Sequence, residues 1–131
     1  MKFLFRIAAL VAFGLVALAA TAFAHDPGLS SANIDVRART LEVQLIFNGR
    51  DIAGVLNAHS AQPVGIDDKA ALERLAGRAA AVTAGTSLPA QNVSASVDEN
   101  QNVIFHSEFA IPAGASAVVF SSTLLPELPF G

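Results

Sequence analysis

LEVQLIF, residues 41–47, sets Leu41, Val43, Leu45 and Phe47 at every second position, with Glu42, Gln44 and Ile46 between them. Side chains of an extended chain alternate between faces, so this spacing predicts a strand with one buried face. The same period runs upstream, where Ile34, Val36 and Ala38 alternate with Asn33, Asp35 and Arg37. A turn at Arg39-Thr40 makes the two runs a hairpin.

Downstream the period changes. Asn48 reads as a helix cap, with Ile52, Val55 and Leu56 on one side of a short helix. Ala58 to Gly65 is a loop containing Pro63. Asp67 or Asp68 then caps the clearest helix, predicted to run to about Ala81 with Leu72, Leu75, Ala76 and Ala79 as its apolar stripe. Period two returns in Val93, Ala95 and Val97. The polar run Asp98 to Asn102 makes a turn, and Val103, Phe105, Phe109 and Ile111 line the returning strand. Pro112-Ala113-Gly114 turns again. Ala117 to Thr123 is apolar enough for a central strand, and the tail LLPELPFG, with two prolines, reads as extended. These elements predict a mainly β fold: an Ig-like antiparallel β-sandwich with a helical insertion between the first and second hairpins.

Ahead of the hairpin stands MKFLFRIAALVAFGLVALAATAFA. Lys2 and Arg6 make a positive head, Ile7 to Ala20 carries no charge, and Ala22-Phe23-Ala24 is an Ala-x-Ala cleavage site. That order reads as a secretory signal peptide over 1–24, cut so that His25 becomes the new amino terminus; the alternative is an uncleaved N-terminal anchor, against which stand an apolar stretch short for a span and a good cleavage site. The bare Lys/Arg head is of bacterial type and predicts a periplasmic or secreted protein. Residues 25–131 are then a single β-rich domain. With no closing strand after Phe130, the domain is expected to be truncated from a longer protein.

Cleavage leaves six Lys and Arg against eleven Asp and Glu, a net charge of −5. An acidic domain of this size gains nothing from a phosphate backbone, so nucleic acid is not an expected partner. The chain has no cysteine, which excludes disulfides, a cysteine nucleophile and a thiolate metal site. Beyond the leader, no apolar run approaches the ~20 residues of a membrane helix.

Catalytic chemistry is poorly supplied. No Gly-x-Ser-x-Gly, His-Glu-x-x-His or phosphate-cradling glycine loop occurs. The carboxylate pairs Asp67-Asp68 and Asp98-Glu99 fit caps and turns. Three histidines remain: His25, His59 and His106. The free amine and imidazole of a terminal His25 can chelate copper or nickel, with Asp26 offering an oxygen and a second histidine completing a nitrogen set. The simpler reading leaves His25 as the residue exposed by cleavage, His59 as a polar loop residue and His106 on the outer side of its strand. Pro27 in third position rules out the amino-terminal copper-and-nickel motif that needs histidine there.

Taken in order, HDPGLSS after the leader, LEVQLIFNGRDIAGVL, the hairpin SASVDENQNVIFHSEFAIPAG and the terminal LLPELPFG resemble the periplasmic N-terminal region of HupE/UreJ-type membrane proteins. The resemblance implies an exported accessory domain linked to nickel or cobalt uptake, with a membrane transporter as its envelope partner. Only His25 and Asp26 match a segment that would touch metal. The family's histidine-containing membrane helices are missing from this chain, so transport itself does not carry over.

Three expectations follow. The first is a non-enzymatic periplasmic binding or assembly domain, in divalent-metal uptake. The second is a secreted copper protein or enzyme using His25 as one arm of a histidine brace; the absence of Tyr and Trp disfavours it. The third is a structural β domain contacting another envelope protein through an exposed edge strand.

Overall fold

A computed structural model describes residues 30–128, and the chain there is mainly β. The leader, His25 and Asp26 lie outside the described residues. Strands β1 (Ser31–Arg37) and β2 (Thr40–Asn48) form the expected first hairpin, with Arg37 opposite Thr40 across the turn. The turn falls one residue early, at Ala38-Arg39, with Ala38 at φ 45°. An L-residue there is strained by roughly 1 kcal/mol.

Helix α1 (Gly49–Ala58) follows directly. The Asn48 side chain accepts the Arg50 N–H at 2.9 Å, as an N-cap should. Gly49 is required here, because its N–H donates to the Gln101 carbonyl at 3.0 Å and a Cβ would strike that oxygen. Helix α2 (Lys69–Ala76) is capped by Asp68, which accepts the Ala71 N–H at 2.9 Å.

The structure corrects the helix's far end. Rather than continuing to Ala81, α2 stops before Gly77, and Ala80–Ala84 is strand β3. The Ala-rich run has high helix propensity, but tertiary pairing overrides it. β3 lies between β4 (Thr86–Leu88) and β7 (Val119–Ser122), and Gly85 at φ 80° makes the tight turn to β4. β7 is thus an outer strand, not a central one, with Val119 exposed. The second hairpin, β5 (Ala90–Val97) and β6 (Asn102–Ala110), closes on Asp98 as expected. Asp98 accepts N–H bonds from Asn100 and Asn102 and one from the Asn102 side chain. The Asn102 bonds chiefly hold its carboxyl below the ordinary range.

Two antiparallel sheets result, in the orders β1-β2-β6-β5 and β4-β3-β7. This arrangement is compatible with a sandwich. The segment between the two hairpins supplies α1 and α2, and also β3 and β4. The core lies on one face of the larger sheet. Leu41, Val43, Leu45 and Phe47 of β2 and Val103, Phe105 and Phe109 of β6 meet Ile52 and Val55 of α1, Leu72 and Leu75 of α2, and Val82 of β3. The Phe47 and Phe105 rings sit 6.0 Å apart in a tilted pair. Each such fully buried side chain contributes roughly 1.5–3 kcal/mol.

The tail is the last correction. Instead of running extended, Leu124 is fully buried and Leu125–Glu127 forms a 3-10 turn with Pro126 in its first positions. Burying Leu124 pulls the chain back onto the core, which an extended tail would forfeit. Among the described residues no helix is long and apolar enough to cross a membrane.

Candidate functional site

The two outer strands of the larger sheet are built differently. β5 is broken by a bulge between Gln91 and Ser94, with Asn92 at φ 49°. Its inward residues Ala90, Val93 and Ala95 pack against the core. β1 has seven consecutive residues in unbroken register with β2, and every one of them is exposed. Ala32, Ile34 and Val36 stand opposite Leu45, Val43 and Leu41, so they share the apolar face of the sheet. Those three β2 residues are buried at 3 %, 1 % and 3 % exposure, whereas Ile34 and Val36 are 44 % and 64 % exposed. Among the described residues, the second layer ends at β2.

The expected hairpin with one buried face is therefore half right. β2 buries its face and β1 does not.

On the other side of β1, Asn33 donates to the Gln44 side chain at 3.1 Å. Arg37 pairs with Asp35 at 2.8 Å and reaches Glu42 at 3.4 Å. These charges keep that face wetted but leave the strand's outer backbone edge open. Charged side chains, proline, an inward charge, a bulge and a very short strand are the usual guards of such an edge. Within 31–37 there is no proline, the two charges share the outer face, and the register is continuous. β4 and β7, the outer strands of the small sheet, span only three and four residues. Among the described residues β1 is the long edge without proline, bulge or inward charge, guarded only by Asp35 and Arg37 on its outer face.

His59 and His106, the histidines among the described residues, are placed separately. His106 lies on the outer face of β6, opposite Gln44 on one side and Ser94 on the other, as its alternation predicts. Asn33, Asp35, Glu42, Gln44 and His106 border a depression of about 340 Å³ there. His59 follows α1 on the opposite, core-covering side of the sheet. The structure therefore does not bring His59 and His106 together. Among the described residues no group of three His, Asp or Glu side chains converges as a metal shell would require.

His59 instead takes part in an arrangement that sequence reading missed. Its Nε2 lies 3.1 Å from Glu127 Oε2. Arg78 grips the same carboxylate with both terminal nitrogens, at 2.6 and 3.1 Å. Arg78 comes first among the causes that hold the Glu127 carboxyl below its ordinary range, followed by opposing desolvation and then by His59. The Thr123 hydroxyl donates to the Arg78 carbonyl, and its N–H donates to the Ala79 carbonyl at 3.1 Å. Together these bonds stitch the C-terminal turn to the end of α2. Val55, Leu56, Val64, Leu75, Arg74 and Arg78 border an open cleft of about 310 Å³ beside the stitch. Asn57 shapes its rim: the side chain accepts the Val64 N–H at 2.8 Å and donates to the Val64 carbonyl at 3.0 Å. No signal in the sequence joins Arg78 to Glu127, which are 49 positions apart.

No protein family, curated protein or solved structure matches the chain.

Proposed function

We propose that this chain is an exported, non-enzymatic binding and assembly domain of the bacterial envelope, docking when a protein partner adds an extended strand to β1. The bare seven-residue edge carries the reading. An unpaired strand offers main-chain hydrogen bonds to a partner's backbone, and its alternate side chains offer an apolar strip. Ile34 and Val36, continuous with the core face yet exposed, supply that strip.

The HupE/UreJ resemblance adds nickel or cobalt uptake to this proposal, with a membrane transporter among the candidate partners. That part rests on His25 and Asp26, at the mature amino terminus the leader predicts. Mass measurement of envelope-derived protein tests export, with cleavage after Ala24 expected. Calorimetry of the cleaved chain with nickel, cobalt and copper tests the metal part. Binding that vanishes in His25→Ala supports it, and no binding removes it.

Docking is tested by a photo-cross-linking residue placed at Val36 in the full chain, expressed in cells. An adduct with a protein is expected from Val36 and not from Ser96, an exposed position on the bulged strand β5. Equal yields from the two positions, or none from Val36, would remove the docking reading.

A further inference from the structure

An antiparallel edge has a particular property: a strand can pair with a second copy of itself across a two-fold axis if its own pattern reads compatibly in reverse. Such an axis, perpendicular to the sheet, keeps each face on its own side and sets one residue opposite itself. The candidate centres on β1 give very different neighbours.

With Ile34 opposite itself, all seven residues from Ser31 to Arg37 find partners. Ala32 faces Val36, so the apolar strip continues unbroken across the axis. On the other face Asn33 meets Asp35, amide against carboxylate, and Ser31 meets Arg37. With Asp35 at the centre, two carboxylates stand directly opposite, which is unfavourable. With Val36 at the centre, Ile34 would have to pair with Ala38, which sits in the hairpin turn at φ 45° and outside the strand. Centring on Asn33 carries Val36 past the start of the strand, opposite Ser30. One register satisfies length, face and charge together.

We infer that β1 pairs with β1 of a second copy of this chain, Ile34 opposite Ile34, joining the two larger sheets into one continuous eight-stranded sheet. The inference rests on the docking reading above and names its occupant. One observation favours a second copy over an unrelated strand, the reverse-compatible pattern of Ser31–Arg37; the exposure of the whole strand and its freedom from the bulge that breaks β5 leave the edge accessible to it. A seven-residue strand pair buries less than the ~1,200 Å² at the lower end of stable complexes, so the dimer is weak and reversible.

The test is sedimentation of the purified, leader-cleaved chain over a concentration series, together with the Val36 cross-link in cells. Mass is expected to rise from one chain towards two with concentration, and the cross-linked adduct to have twice the chain's mass. Val36→Lys, at an exposed position, should remain folded by circular dichroism and sediment as a monomer. The register has its own probe. Asn33→Asp sets a carboxylate against Asp35 at both symmetric positions and should weaken the dimer about tenfold, whereas Asn33→Lys should tighten it by a similar factor.

A dimer indifferent to Val36→Lys would overturn this pairing, and one that responds alike to both Asn33 variants would overturn the register. A monomer at every concentration, with Val36 cross-linked to a different envelope protein, would overturn the second copy and leave the docking reading standing. A monomer with no adduct at Val36 would remove both.

Discussion

β1 and β5 flank the same sheet, and both alternate apolar with polar residues, yet one is packed and the other bare. β5 lies beside α2 and sends Ala90, Val93 and Ala95 towards the core. β1 presents Ala32, Ile34 and Val36 on the same face with nothing over them among the described residues. Alternation specifies a face and not its cover. Cover depends on how far the second layer reaches, and here α1, α2 and the small sheet end their reach at β2.

The largest effect expected is on β2, the neighbour of β1 whose face the second layer does cover. Leu45→Ala should cost about 2–5 kcal/mol in urea unfolding, as a buried truncation that leaves a cavity does. Val36→Ala on β1 should stay within about 0.5 kcal/mol. Equal costs would break the comparison, since they would mean that β1 is covered in the folded protein.

A second measurement probes how tightly the covered side is closed. Gly49→Ala pushes a Cβ against the Gln101 carbonyl where α1 meets the β5–β6 turn. It should destabilise by about 1–3 kcal/mol, as overpacking does. An unchanged midpoint would show that this junction yields.

The turn that carries β1 gives a change of opposite sign. Ala38→Gly relieves the positive φ and should raise stability by up to about 1 kcal/mol, net of glycine's greater unfolded entropy. A loss instead would mean that chain entropy dominates, and that β1 is held more loosely than its unbroken register implies.

The smallest expected effect concerns the C-terminal stitch. Arg78 and His59 favour the ionised form of Glu127, so its carboxyl titrates below the ordinary range. The contribution is fully present above the unfolded carboxylate value. It fades as pH falls through the lowered folded one. Glu127 is partly open to solvent, so the effect is modest. Glu127→Gln should flatten the acid side of the stability–pH curve and speed amide exchange at Glu127, whose N–H bonds the Leu124 carbonyl. An unchanged acid limb would show that the stitch adds nothing to stability. Asp98 contributes to that limb with the same sign, so the comparison has to be made against the unsubstituted chain.

Much of this architecture could be read from local pattern. Both hairpins, the Asn48 and Asp68 caps and the outward placement of His106 follow from period, capping chemistry and turn composition. The missed elements share a cause. β3 hides in an Ala-rich run that favours helix until β7 pairs with it, and the tail looks extended until Leu124 finds the core. The candidate site is legible only in outline: the alternating pattern admits an exposed edge strand, but nothing local shows that β1 is the strand left uncovered. The stitch of Arg78, His59 and Glu127 left no trace, because nothing local couples residues so far apart.

Local pattern sets the strands with one apolar and one polar face, and the points where the chain turns or starts a helix. Those features depend on neighbours a few positions apart, whose geometry the backbone dictates. Long-range packing settles which apolar faces are buried, where α2 yields to β3, and which edge of the sheet stays open among the described residues. Burial and strand pairing join distant segments, and they are settled by how far one layer extends across another.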